Sequence, residues 1–154
     1  MSHVHEKIDF TADVFIVYKD KVLLRMHDKY KMWLSVGGHV ELDEDPNEAA
    51  VREVKEEVGL DVKLWAGHMN PIPPDGRIKI LIPPVHMNRH STSTTHEHIS
   101  LVYFATSDTD NVRPAEGEQQ DGWKWFTREE VLKGDIPQNI KDYAVRALDT
   151  LSEN

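Results

Sequence analysis

The chain contains no cysteine, which excludes a disulfide framework, a thiolate zinc site and a thiol nucleophile. A chain without thiols fits a reducing compartment. Long apolar runs are missing too. Val14-Phe15-Ile16-Val17-Tyr18 is among the longest, far short of the ~18 residues that span a bilayer. The opening Met-Ser-His-Val-His-Glu-Lys has no apolar signal region, so the expected location is the cytoplasm, with no membrane partner. Basic residues are scarce, 18 Lys and Arg against 27 Asp and Glu, for a net charge of −9. A face that grips successive phosphates needs the opposite balance, so a general nucleic-acid binder is disfavoured. What is present suits one domain: 154 residues, 39% of them apolar, with four each of Trp, Tyr and Phe as bulky core anchors.

No repeat or low-complexity linker divides the chain. Residues 1–11 mix charge and histidine without a clear period and read as a frayed arm or an edge strand. Residues 12–18 are β-branched and aromatic and 22–26 apolar, with Lys19-Asp20-Lys21 between them, which predicts a hairpin. Residues 32–36 predict a short strand running into Gly37-Gly38, where the backbone must turn or approach something closely. The clearest helix opens at Asp45-Pro46: Asp45 suits the N-cap, Pro46 the first helical position, and Glu48 stands in capping-box spacing. Gly59 supplies a left-handed stop. Further strands are predicted over 62–65, 78–82, 99–105 and 122–126, with a polar loop over 83–98. Residues 139–151 predict an amphipathic helix with Ile140, Tyr143, Ala144, Ala147, Leu148 and Leu151 on its apolar side. Strands mixed with two good helices indicate an α/β or α+β domain.

On the first helix, Val51, Val54 and Val58 share a face, while Glu53, Glu56 and Glu57 crowd within about 100° of arc elsewhere. Like charges so placed repel by a few tenths of a kcal/mol per pair. A solvated surface face is the ordinary explanation of a Glu-rich helix. Against it, residues 38–60 hold eight acids and only Arg52 and Lys55 as bases, a net −6 in 23 residues. Arg52 can pair with Glu56 at i+4 but cannot neutralise all three carboxylates. A hard divalent cation would relieve the crowding, because Mg²⁺ takes oxygen ligands from carboxylates and substrate phosphates.

The spacing decides between these readings. Gly38, five residues, Glu44, seven residues, then Arg52-Glu53-Val54-Lys55-Glu56-Glu57-Val58-Gly59-Leu60 resembles the signature box of the Nudix hydrolases at every defined position. Residues 33–41, with their double glycine, and the aromatic stretch 122–126 followed by 127–132 resemble the family's flanking segments. One departure is Val36, where the family usually has Pro before the double glycine. The resemblance implies an α/β/α sandwich with a mixed β-sheet, spanning residues 1–154 as a single domain. It implies divalent-metal-dependent hydrolysis of a pyrophosphate bond in a nucleoside diphosphate linked to another group, with Mg²⁺ as cofactor and Mn²⁺ as substitute. Carried over residue by residue, Glu53, Glu56 and Glu57 bind metal, with the Gly37 carbonyl as a further ligand, and Arg52 and Glu44 orient those carboxylates. A carboxylate must take the water's proton; Glu56 is the first choice and Glu97 the alternative base.

Beyond the box, Arg25, Arg89 and Glu41 are the candidate substrate contacts, the two arginines as phosphate partners. His96 and His98 lie two apart and share a strand face, which reads as a transition-metal pair, a phosphate grip or a polar strand start. Trp33 and Tyr30 read as base-stacking or, for Trp33, core residues. Subfamily marks are absent: Gly76 stands where ADP-ribose hydrolases carry Pro, and no Tyr of the diadenosine polyphosphate type lies near Arg77 and Ile78. The leading reading is therefore a hydrolase of a free nucleotide or nucleotide sugar. An RNA 5′-end pyrophosphohydrolase is disfavoured by charge, and a non-catalytic nucleotide sensor by retention of all three Glu. A homodimer is the candidate assembly.

Overall fold

Along residues 8–18 the side chains alternate: Ile8, Phe10, Ala12, Val14 and Ile16 fall to one face, and Asp9, Thr11, Asp13, Phe15 and Val17 to the other. The structure, a computed structural model, describes residues 6–153. In it this stretch is β1 (Ile8–Tyr18), followed by β2 (Lys21–Met26), β3 (Trp33–Leu34), β4 (Val36–His39), α1 (Pro46–Val58) and β5 (Val62–Leu64). Then come β6 (His86–Ser91), β7 (Glu97–Ser107), β8 (Trp123–Thr127), α2 (Arg128–Lys133) and α3 (Gln138–Leu151). All eight strands belong to one mixed sheet. β1 runs parallel to β7 on one edge and antiparallel to β4 and then β2 on the other. β2 also carries β3 and β8, and β7 also carries β5 and β6.

Residues 8–11 are thus neither an arm nor an edge: they begin a strand with partners on both sides, Ile8 beside Glu97 and Thr11 beside His39. The alternation of Ile8 and Phe10 with Asp9 and Thr11 is the strand period that charge obscured. Residues 1–5 of the expected arm lie outside the described residues. The β1–β2 hairpin forms as expected, with Tyr18 opposite Lys21 across a two-residue turn. Two other expectations fail. Residues 78–82 form no strand; instead the Asn47 side chain donates to the Ile82 carbonyl (2.9 Å) and accepts from the Ile82 N–H (2.8 Å), doing a ladder's work from α1. Residues 86–91, expected as loop, form β6, hydrogen-bonded to β7 on one side only. An edge strand this polar has no hydrophobic alternation by which to be seen.

α1 obeys its caps. Asp45 accepts from the Glu48 N–H (2.9 Å), and Gly59 turns left-handed at φ 70°. The reciprocal half of the capping box is not made, because the Glu48 carboxylate takes Lys79 at 2.9 Å instead. Ala49, Ala50, Val54 and Val58 of α1 pack on Ala12, Val14, Ile16 and Leu23 on one face of the sheet. Val131 of α2 and Ile140, Ala144 and Leu148 of α3 pack on Phe15, Val17, Leu24 and Phe104 on the other. The result is the expected α/β/α arrangement, each fully buried aliphatic side chain contributing about 1.5–3 kcal/mol. α3 covers the sheet only from Phe15 onward, so the polar positions Thr11 and Asp13 line an open cleft of about 760 Å³. No helix among the described residues is long and apolar enough to cross a membrane.

Candidate active site

The site is organised by Arg52, all five of whose N–H donors are used. Nε and Nη2 form a fork on Glu44 (2.9 and 2.6 Å), Nη1 serves Glu53 Oε1 (3.1 Å) and Glu56 Oε2 (3.0 Å), and Nη2 also reaches the His39 carbonyl (3.0 Å). Arg52 sits one turn before Glu56, so the i,i+4 pair is built by helix geometry, while Glu44 is delivered by the loop that leads into α1. Glu44 additionally accepts from the Glu41 N–H (2.9 Å), which fixes the turn ahead of the helix. The Arg52 hydrogen bonds hold the Glu44 carboxyl below the usual carboxylate range, and Glu44 in turn holds the guanidinium protonated.

Glu57 points inward from α1. Its Oε1 accepts from Arg25 Nη1 and its Oε2 from the Gly37 N–H, both at 3.1 Å. Burial pushes this carboxyl up to about 7, against the opposing pull of Arg25 and the Gly37 N–H. Burial likewise raises Glu53, against Arg52. The double glycine explains how the carboxylates come so close. A Cβ on Gly38 would stand 2.5 Å from Glu53 Oε1, and one on Gly37 would stand 2.1 Å from the Ala12 carbonyl. Bare backbone at both positions lets β4 lie between β1 and the acidic face of α1.

A fourth carboxylate, which no spacing in the sequence points to, acts on this group through its charge. Glu118 lies in the loop between β7 and β8, and its charge raises both Glu53 and Glu57. The loop is held there by α1's own unsatisfied carbonyls: the Arg113 N–H donates to Val58 O and the Ala115 N–H to Glu56 O, both at 2.8 Å. Only the acidic run Glu116-Gly117-Glu118 ahead of an aromatic strand hinted at it. Glu53, Glu56, Glu57 and Glu118 offer oxygen only, the donor set suited to Mg²⁺ or Mn²⁺. Burial is the main cause that raises Glu53 and Glu57, and repulsion from neighbouring carboxylates adds to it, a crowding that a bound cation would relieve.

Other candidates are placed differently. Arg25 lines the cleft, yet its guanidinium is engaged with Glu57. Glu97 and Arg89 form an ion pair with each other on the β6–β7 hairpin, Lys7 adding to it at 3.8 Å, and the guanidinium holds Glu97 below its ordinary range. His90 and His98, their alternating neighbours in the two strands, are the ones that line the cleft. Period-two alternation therefore sends Glu97 and Arg89 to the sheet's other face. Glu41 is exposed at the end of the double-glycine segment. Trp33 is half-buried against the core, its ring edge-on to Phe126 at 5.0 Å, whereas Tyr30 stands at the cleft stacked on His27 (4.6 Å). The cleft floor holds Asp13, raised by burial and hydrogen-bonded by Ser100.

The family model for the NUDIX domain matches residues 8–147. A solved Nudix-family hydrolase from Clostridium perfringens is 42% identical, the match covering 94% of this chain and 98% of that one, with a TM-score of 0.82. The CTP pyrophosphohydrolase of Escherichia coli (strain K12) is 35% identical over 107 residues, 60% of this chain and 73% of the relative. A MutT protein from Methanosarcina mazei Go1, 18% identical, shares the fold at a TM-score of 0.67 over 96% of this chain and 97% of that one.

Proposed function

Because this chain belongs to the NUDIX domain family, we propose that it hydrolyses the pyrophosphate linkage of a free nucleotide in a divalent-metal-dependent reaction. The chain is a hydrolase acting on acid anhydrides. The observation that carries the finer reading is the Arg52 hub, which holds Glu44, Glu53 and Glu56 together against the double glycine beside a nucleotide-sized cleft. A nucleoside triphosphate is the substrate class best supported, by the 35% identity to a protein named for CTP.

Glu53, Glu56 and Glu57, with Glu118 beside them, are the residues that would hold the ion. Bound there, Mg²⁺ or Mn²⁺ neutralises phosphate charge and lowers the pKa of water. The chain's own part is proton transfer and alignment. Glu56 takes the proton of the attacking water: its side chain is 46% exposed, against 15% for Glu53 and 11% for Glu57. Arg52 occupies only its Oε2. Glu97, ion-paired with Arg89 and Lys7 and only 19% exposed, lacks that freedom. Arg25 acts through Glu57, anchoring it, and Arg52 with Glu44 fixes the other two carboxylates. The new bond joins water oxygen to phosphorus, and the bridging oxygen leaves on the departing phosphate.

A nucleotide panel with Mg²⁺ and with Mn²⁺, run in ¹⁸O-labelled water, tests this. Label in a phosphate product and loss of turnover in EDTA are expected. Label on a sugar carbon, as a glycosidase would place it, or full activity in EDTA overturns the proposal.

A further inference from the structure

The rim of the cleft carries a second constellation of different chemistry. Asp9 of β1, His39 of β4, His96 just ahead of β7 and His98 at its start each present a ligand atom, and these atoms all lie within 4.8 Å of one another. Strand register assembles them. Asp9 stands directly opposite His98 on the parallel neighbour, and His39 stands opposite Thr11, two residues along β1 on the same face. His96 precedes His98 by two, so it returns to that face. The His96 Nε2–Asp9 Oδ2 distance is 2.8 Å and the His39 Nε2–Asp9 Oδ2 distance 3.6 Å. These bracket the ~3.3 Å ligand–ligand edge of a tetrahedron built with bonds of about 2.0–2.1 Å. The rings of His39 and His96 stand 5.0 and 5.3 Å from that of His98, so closing the set takes side-chain rotation, not strand movement.

We propose that Asp9, His39, His96 and His98 form a binding site for zinc or a comparable nitrogen-preferring divalent transition metal, separate from the carboxylates of α1. Three imidazoles and one carboxylate are a borderline-soft donor set, whereas Mg²⁺ seeks oxygen. An ordinary ion-paired surface cluster accounts for the set less well. One Asp9 carboxylate is shared among three imidazoles, with His90 packed against His98 at 5.5 Å, while the nearby Glu97 is spent on Arg89. The ion fastens β4 to β7 across β1 just beyond Gly38. His39 also gives its carbonyl to Arg52, so the fastening reaches the hub that aligns the catalytic carboxylates.

The test uses the full chain without an affinity tag, stripped by chelator and then held in excess Mg²⁺ to occupy the carboxylates. Zn²⁺ binding is read by competition with a chromophoric chelator, and Co²⁺ binding by its visible absorption, intense for tetrahedral and weak for octahedral coordination. One equivalent is expected to bind with the tetrahedral spectrum. Affinity should fall at least ~100-fold in His98→Gln and in Asp9→Asn and stay within ~3-fold in Glu53→Gln. His96→Gln, which lies before the strand begins, gives the same reading should a strand substitution fail to fold. Equal affinity in wild type and His96→Gln, or an octahedral spectrum, overturns the site. A loss confined to Glu53→Gln does so too, by placing the ion on the carboxylates.

Discussion

Glu57→Gln should change how stability depends on pH when metal is withheld. The Glu57 carboxyl is raised from 4.5 to about 7 by burial. Over that window the folded state keeps a proton that the unfolded state gives up, so this group makes stability fall as pH rises. A shift of about 2.5 units at 1.36 kcal/mol each makes its contribution about 3 kcal/mol, complete once pH passes the folded pKa. Glutamine cannot ionise, so the variant loses that slope. Its amide oxygen can still accept from Arg25 or Gly37, and whatever the exchange costs is a constant offset that leaves the slope readable. Urea unfolding of both proteins at pH 5, 6, 7 and 8 in EDTA is the measurement. The difference in unfolding free energy should move by about 2.5 kcal/mol in favour of the variant across the series, the remainder falling below pH 5. With saturating Mg²⁺ the wild-type slope should flatten, since a cation favours the carboxylate. Parallel curves in EDTA would refute the buried, proton-holding Glu57 on which the argument rests.

Glu56→Gln should lower kcat at least ~100-fold while melting within a few degrees of wild type, a split that steady-state kinetics and calorimetry resolve. Arg52→Lys should weaken Mg²⁺ binding and turnover together, because three rotatable donors cannot replace a five-donor fork. It should also lower stability by about 1–3 kcal/mol as Glu44 loses its partner, and unchanged Mg²⁺ affinity would count against the hub. The two glycines should separate by assay. Gly37→Ala drives a Cβ to 2.1 Å from the Ala12 carbonyl at φ 150° and should cost fold stability, read by denaturant midpoint. Gly38→Ala meets only the movable Glu53 carboxylate at 2.5 Å and should cost turnover and metal affinity with little loss of stability.

The elements that announced themselves in the sequence did so through local chemistry. α1 is written into Asp45, Pro46 and Gly59, whose capping roles need no tertiary partner, and the β1–β2 hairpin into the turn at Lys19-Asp20. β6 and the first residues of β1 were hidden because their strand character depends on neighbours. His86-Met87-Asn88-Arg89-His90-Ser91 has no apolar face, and pairing with β7 supplies what hydrophobic burial does not. The apparent strand at 78–82 fails for the complementary reason, since Asn47 satisfies Ile82 from the helix and leaves no ladder to join.

The site divides along the same line. Arg52, Glu53, Glu56 and Glu57 are brought together by helical spacing, and Glu44 by the short loop that leads into the same helix, all within one contiguous stretch. Glu118 comes from far along the chain, carried in by backbone bonds to the carbonyls at the end of α1, and no spacing rule reaches it. Sequence proximity also misled. Glu97, Arg89, His96 and His98 lie close together in the chain, but a strand sends adjacent residues to opposite faces. Glu97 and Arg89 spend their charges on each other, while His98 looks into the cleft and meets Asp9 and His39 from two other strands. What makes the histidine cluster is the parallel register that sets Asp9 beside His98. Sliding that register by one residue would put Asp9 opposite Glu97 or Ile99 and dissolve the cluster, so its existence is a property of the sheet and not of any motif.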